Sequence, residues 1–333
     1  MVEYRIILFP IFATISIIAA ALLIALNWIF GLLFLILFVA NSISSILVYL
    51  KFLFWPYKDM VDTSLVDIKE VEVPSSSEGE ILKAVVIRAK NSNNKEKQPG
   101  ILFHHGYTGH KEKNYHYIIP LALNGCTILA IDARGHGESV SKAFKMGDFA
   151  GVMADVKYEI DYLEKLDGVD KNKLMMVGHS MGAIATLSQG YLDKRLKKIV
   201  GMAGPNDLLA MFNRYSGKIL NLTSIVLKFI ARDVRKHVSE PLAIANEKIS
   251  PKYSFKQGHP IPDKDRVYLV HCKEDNVVDF QESLSHKEQL NLPDENLLFL
   301  EKPERKYMNA HEFVGQSTII SSFLIKIANS LKD

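Results

Sequence analysis

The chemistry this sequence could perform starts at Gly178-His179-Ser180-Met181-Gly182. An apolar stretch, Leu174 to Val177, precedes it, and Ala183 to Leu187 follows with helical character. A serine between two such glycines, at a strand–turn–helix junction, is held on a strained turn with its hydroxyl pushed clear of the strand end. A serine hydroxyl is a poor nucleophile at pH 7 and needs a base, itself oriented by an acid. On a turn of this kind the acid and then the base follow the serine in chain order.

The acid is expected past the strand-like run Val267 to Cys272, where Lys273-Glu274-Asp275-Asn276-Val277-Val278 follows. Asp275 is best placed there, just beyond the strand end and ahead of two anchoring valines, with Glu274 and Asp279 as alternatives. Position selects the base among 11 histidines. His311, in Asn309-Ala310-His311-Glu312-Phe313, lies in the loop before the last helical stretch and is the choice. His104, His105 and His136 precede the serine. His286 falls in a helical pattern, His237 and His259 in the insertion described below, and His271 inside a strand, as a satisfied core histidine would. An oxyanion requires two backbone donors. Met181, directly after the nucleophile, supplies one N–H, and Tyr107, after His105-Gly106, the other.

Elements that could position these residues alternate along the chain. Strand patterns cover 65–73, 81–88, 100–104, 126–131, 174–177, 198–203, 267–272 and 297–300, with helical patterns at 115–123, 149–166, 280–290 and 314–331. Such alternation implies a mostly parallel sheet covered on both faces, and the first two strands form an antiparallel hairpin at one edge. Alternation stops at about 205–264, where 208–237 reads as largely helical with an apolar face. An insertion of this length between two strands is expected to act as a lid.

Taken as a set, the serine pentapeptide, His105-Gly106, Asp132-Ala133-Arg134-Gly135-His136-Gly137-Glu138-Ser139, Asp275 and His311 resemble the α/β-hydrolase superfamily. The nearest resemblance is to its serine esterase, monoacylglycerol-lipase-like and aminopeptidase-like branch. The resemblance covers about Val66 to Asp333. It implies an eight-stranded, mostly parallel sheet, a Ser180–Asp275–His311 triad, an oxyanion hole at Tyr107 and Met181, and a structural role for the Arg134–Gly137 loop. No metal or cofactor is implied: the chain has no Gly-rich phosphate loop and no helical His-x-x-x-His pair.

The N-terminal segment lies outside that pattern. Ile6 to Leu26 is one apolar run, Asn27-Trp28 and Gly31 interrupt it, and Leu32 to Leu50 is a second. A single straight helix through both would reach roughly 73 Å, far beyond the ~30 Å of a bilayer core. A transmembrane hairpin turning near Asn27 to Gly31 is therefore expected. The alternative is one anchor followed by a helix lying on the surface. Arg5 before the runs and Lys51 and Lys58 after them place both ends in the cytoplasm by the positive-inside rule. The division expected is a membrane anchor over 1–58 and a hydrolase domain over 59–333.

The net charge of +3, with 23% charged residues, gives no basic surface for nucleic acid. Cys126 and Cys272, each in an apolar strand, read as buried thiols. The function expected is a membrane-anchored serine hydrolase acting on acyl or lipid-like esters through an acyl-enzyme, with the bilayer and a small ester as partners. A peptidase or amidase, an acyltransferase, and a non-catalytic membrane scaffold of the same fold are the alternatives.

Overall fold

In the computed structural model, residues 14–19, 21–22, 28–53, 61–91, 96–216, 232, 242–301, 310–313 and 315–332 are described. The chain divides into two units, Met1–Trp55 and Pro56–Asp333.

Within the first unit, helix α1 spans Trp28–Leu53, 26 residues. The expected turn at Asn27 to Gly31 is corrected by this helix, which holds Trp28 to Gly31 in its first turn; one glycine costs a helix only about 1 kcal/mol. Most of the first apolar run lies outside the described residues. Two membrane crossings are not supported: among the described residues no helix is long and apolar enough to cross a membrane. Asn41, Ser42, Ser44 and Ser45 break the apolar run of α1. Its longest stretch without a polar side chain, Trp28 to Ala40, reaches about 19 Å. The Ser42 hydroxyl donates back to the Phe38 carbonyl at 2.8 Å.

The second unit is built on an eight-stranded sheet in the order β1-β2-β4-β3-β5-β6-β7-β8. Its strands are β1 (Val66–Pro74), β2 (Ile81–Ala89), β3 (Gln98–His104), β4 (Thr127–Ile131), β5 (Val169–His179), β6 (Leu196–Met202), β7 (Val267–Cys272) and β8 (Leu297–Leu300). β1 pairs antiparallel with β2, from Val66 opposite Ala89 to Pro74 opposite Ile81, and β2 pairs antiparallel with β4. Every other neighbour is parallel.

Sequence pattern accounts for each position. β3 and β4 are buried along nearly their whole length, and Gly100–Phe103 and Ile128–Ile131 within them read as apolar runs, as central strands do. β1 exposes Asp67, Lys69, Glu70 and Glu72, charges that discourage pairing at an open edge.

One face of the sheet is covered by α3 (Phe149–Lys165), whose Val152, Val156, Ile160 and Leu163 enter the core at helical spacing. Asp148 caps it by accepting from the Gly151 N–H at 2.9 Å. The other face is covered by α2 (Tyr115–Leu123) and α8 (Ser317–Asn329), through Tyr117, Ile118, Leu121, Ile320, Leu324 and Ile327.

Between them in the chain come α4 (Met181–Ala185), α5 (Leu208–Ser216), α6 (Leu242–Ile249) and α7 (Gln281–Leu290). Of the expected lid, residues 217–231 and 233–241 lie outside the described residues. Its described ends are tied together by Asn246, whose Oδ1 accepts from the Leu209 N–H at 2.9 Å, and by Ser250, whose Oγ accepts from the Leu208 N–H at 2.9 Å.

Candidate active site

β5 ends at His179, and the chain turns at once into α4 with Ser180 at the corner. Ser180 has φ 53° and ψ −111°, a backbone conformation that a non-glycine residue adopts only when its surroundings impose it. The Ser180 N–H donates to the Met202 carbonyl at 2.8 Å, locking the corner to β6. The flanking glycines make the turn possible. A Cβ on Gly178 would stand 2.0 Å from the Gly182 carbonyl oxygen, and one on Gly182 would stand 2.1 Å from that of His104.

The fold brings Ser180, His311 and Asp275 together although 131 and 36 residues separate the pairs. His311 Nδ1 is 2.7 Å from Asp275 Oδ2. A carboxylate only accepts, so Nδ1 carries the proton and Nε2 is left as an acceptor. Ser180 Oγ lies 3.0 Å from that Nε2 and donates to it. Asp275 Oδ1 accepts from the Val277 and Val278 N–H groups at 2.8 and 3.0 Å. This Asx-type turn past β7 is why Asp275, rather than Glu274 or Asp279, faces inward. Asp279 instead accepts from the Gln281 N–H at 2.9 Å, at the start of α7.

Electrostatics follow from this geometry. Burial pushes the His311 imidazole down, but the Asp275 charge and hydrogen bond outweigh it and hold its pKa above the ordinary 6.5. Burial likewise pushes the Asp275 carboxyl up, and the charge of His311 with the imidazole hydrogen bonds reverses this, holding it well below the carboxylate range. Glu312, paired with Lys113 at 2.8 Å, stands beside them.

Two further histidines pack against the three residues. His179 Nε2 is 2.8 Å from the His311 carbonyl and must donate to it. Burial brings the His179 pKa down to about 4 and keeps the ring neutral. His271, buried in β7, has Nε2 3.2 Å from Asp275 Oδ2. The sequence offered only the burial of His271; which way its ring faces was missed.

Tyr107 and Met181, the expected oxyanion donors, both line the cleft beside Ser180. The turn bearing Tyr107 is fixed by His105, whose Nε2 accepts from the Ala133 N–H at 3.0 Å while Nδ1 donates to the Gly106 carbonyl at 2.7 Å. The Arg134–Gly137 loop is scaffolding. Arg134 donates to Asp155 and Asp148, and Asp132 accepts from the Lys111 and Glu138 N–H groups at 2.6 and 2.9 Å.

A cleft open to solvent runs from Ser180 between Tyr107 and Phe149 on one side and Leu208, Met211 and Phe212 of α5 on the other. The described start of the expected lid thus forms a wall of the cleft. No charged side chain lines it among the described residues, and no group of His, Cys, Asp or Glu there could hold a metal ion.

Residues 95–250 match the family described as serine aminopeptidase, S33. That match covers just under half of the chain, and the sheet order and the serine turn give its fold. The chain has the α/β-hydrolase fold. It is 28% identical over 133 residues to the Bacillus subtilis (strain 168) protein "Putative esterase YitV", a match spanning 38% of this chain and 52% of the relative. The chain therefore aligns with about half the length of that relative.

Solved structures share this fold at low identity. Est1E from Butyrivibrio proteoclasticus with bound ferulic acid is similar with TM-score 0.55 and 21% identity, over 79% of this chain and 99% of that one. The Pyrobaculum calidifontis esterase gives 0.57 and 15%, over 80% and 86%. Oligopeptidase B from Leishmania major gives 0.59 and 14%, over 81% of this chain but 37% of its own.

Proposed function

We propose that this chain is a serine esterase that cleaves apolar acyl esters through an acyl-enzyme on Ser180, working at a lipid surface. The observation that carries the reading is the unbroken line from Asp275 Oδ2 through His311 to Ser180 Oγ, at 2.7 and 3.0 Å.

In this reading Ser180 Oγ attacks the ester carbonyl as its proton passes to His311 Nε2. The N–H groups of Tyr107 and Met181 receive the oxyanion. Collapse breaks the C–O bond, and the departing alkoxide takes the proton from His311. Water then gives its proton to the same Nε2 as it attacks the acyl carbonyl. The second collapse releases the acid and returns the proton to Ser180. Asp275 stabilises the imidazolium in both halves without taking up a proton.

Substrate class rests on the cleft. An aminopeptidase needs a negative group to hold a free α-ammonium, and the described walls supply none. Aromatic and aliphatic walls suit an acyl chain, whose burial contributes ~0.8 kcal/mol per methylene. Association with lipid rests on α1. Ile29, Leu33, Ile36, Leu37 and Ile43 are exposed around it, and a helix apolar on every side requires an apolar environment. The buried free thiols of Cys126 and Cys272 suit a catalytic domain on the cytoplasmic, reducing side.

The serine aminopeptidase description favours a second reading, a peptidase or amidase. Hydrolysis of aminoacyl-arylamides in preference to p-nitrophenyl acyl esters would select it. The first test is labelling of the full chain, extracted in mild detergent, with a fluorophosphonate probe. Labelling of the parent, lost in Ser180→Ala and greatly slowed in His311→Ala, is the expected result. An unlabelled, folded parent would sink the serine-hydrolase reading.

A further inference from the structure

The catalytic acid has a second imidazole against it. His271 lies at the carboxyl end of β7 with no exposed surface, and its Nε2 is 3.2 Å from Asp275 Oδ2, the same oxygen that faces His311. That Nε2 is also 3.0 Å from the Val278 carbonyl. A carbonyl can only accept, so Nε2 carries a proton. In the Nε2–H tautomer Nδ1 is an acceptor. Ser283 Oγ of α7, 2.6 Å from Nδ1, donates to it. Backbone and hydroxyl together therefore fix the tautomer, and the Nε2–H is shared between Val278 and Asp275.

Counting donors shows what this does to the acid. A carboxylate has about four lone-pair sites. The Asp275 sites receive the N–H groups of Val277 and Val278 on Oδ1, and His311 and His271 on Oδ2. We propose that His271 is a positioning residue of the active site: it holds Asp275 Oδ2 in line with His311 Nδ1 and completes the acid's hydrogen bonding.

The inference rests on the serine-hydrolase reading for its activity arm. Charged and titratable groups facing His271 are few among the described residues. Asp275 faces it from the loop, and His286 from α7. Burial pushes the His286 pKa down to about 3, so that ring stays neutral. Phe280 closes the remaining side edge-on, its centroid 5.7 Å away.

The role predicts effects that a packing role would not. In His271→Phe the ring volume stays, but the donor to Asp275 is lost. Oδ2 is then free to swing, and kcat per active site falls about tenfold, the equivalent of ~1.4 kcal/mol, with KM little changed. The undercompensated carboxylate also acts more strongly on His311, so the acid limb of the kcat/KM profile moves to higher pH. His271→Gln returns an N–H near the Nε2 position and restores most of both.

The experiment uses the full chain in detergent, with active sites counted by fluorophosphonate labelling so that misfolded protein drops out. Turnover of p-nitrophenyl butyrate is read against pH, and the low-field proton resonance of His311 Nδ1 is recorded in parallel. An inactive parent would count against the esterase reading, while the resonance, perturbed by His271→Phe and recovered in His271→Gln, would still support the positioning role. Parental kcat, acid limb and resonance in His271→Phe would overturn it, as would equal losses in the Phe and Gln variants.

Discussion

Replacing Asp275 by Asn tests the whole arrangement with one atom. If the amide keeps its oxygen toward the Val277 and Val278 N–H groups, its NH₂ stands where Oδ2 was. There it meets two N–H donors, His311 Nδ1 and His271 Nε2. His311 can then satisfy the amide only by moving its own proton to Nε2, which now points an N–H at Ser180 Oγ. The base is lost without any change of fold. If the amide flips instead, two buried backbone N–H groups lose their acceptor.

The magnitude follows from the first arrangement. Two hydrogen bonds to a charged group, each worth ~1.5–3 kcal/mol, are removed. At 1.36 kcal/mol per decade, the sum is a fall in kcat of about 10²–10⁴. The assay is steady-state hydrolysis of p-nitrophenyl butyrate beside Glu274→Gln and Asp279→Asn. Asp279→Asn weakens the bond to the Gln281 N–H at the start of α7 and is expected to lower stability slightly with near-parental turnover. An Asp275→Asn enzyme keeping more than about a tenth of parental kcat would refute the reasoning.

Other outcomes are equally open to measurement. Because Asp275 holds the His311 pKa above 6.5 and only the neutral ring accepts a proton, kcat/KM should be low at acid pH and rise through a midpoint above 6.5. In Asp275→Asn that midpoint should drop, which a pH–rate profile reads directly. Gly182→Ala drives a Cβ to 2.1 Å from the His104 carbonyl oxygen; overpacking of this kind costs about 1–3 kcal/mol or more, and a thermal melt should show a shift of several degrees. Met211→Trp should fill the α5 side of the cleft, raising KM for octanoyl over acetyl esters about tenfold in competition assays. Leu33→Glu with Leu37→Glu on α1 should release the protein from phosphatidylcholine vesicles in a flotation assay, each substitution removing about 1.5–3 kcal/mol of apolar burial; undiminished flotation would refute the role of that helix.

How much of this was legible in the sequence differs by element, for physical reasons. Buried parallel strands such as β3 and β4 announce themselves as apolar runs, and the serine turn carries its geometry in two glycines. β5 was seen only from Leu174. Its first half, Asp170 to Lys173, is partly exposed and polar, and pairs with β3 through a register shift near Gly100. No periodicity marks such an extension; only the neighbouring strand supplies it. The Asn27–Gly31 turn failed for the opposite reason. Local breakers suggest a corner, whereas from Trp28 on the helix propensity of the apolar residues that follow carries straight through Gly31.

The histidines show where a one-dimensional reading stops. Chain order selected His311, because a base must sit on a loop that can reach the serine from the carboxyl end of the sheet. The same logic set His271 aside, because a strand residue is fixed on one face and cannot move. Immobility, however, is what orienting an acid requires. Strand β7 places His271 four residues before Asp275, and the return of the chain at Val278 brings a carbonyl and a carboxylate to one ring nitrogen. That convergence depends on the tightness of the 275–278 turn, which two backbone N–H bonds to Asp275 Oδ1 create. The acid therefore shapes the turn that brings its own second imidazole into register, and the two histidines on either side of it divide the work. His311 moves protons, and His271 keeps the carboxylate where those protons can be stabilised.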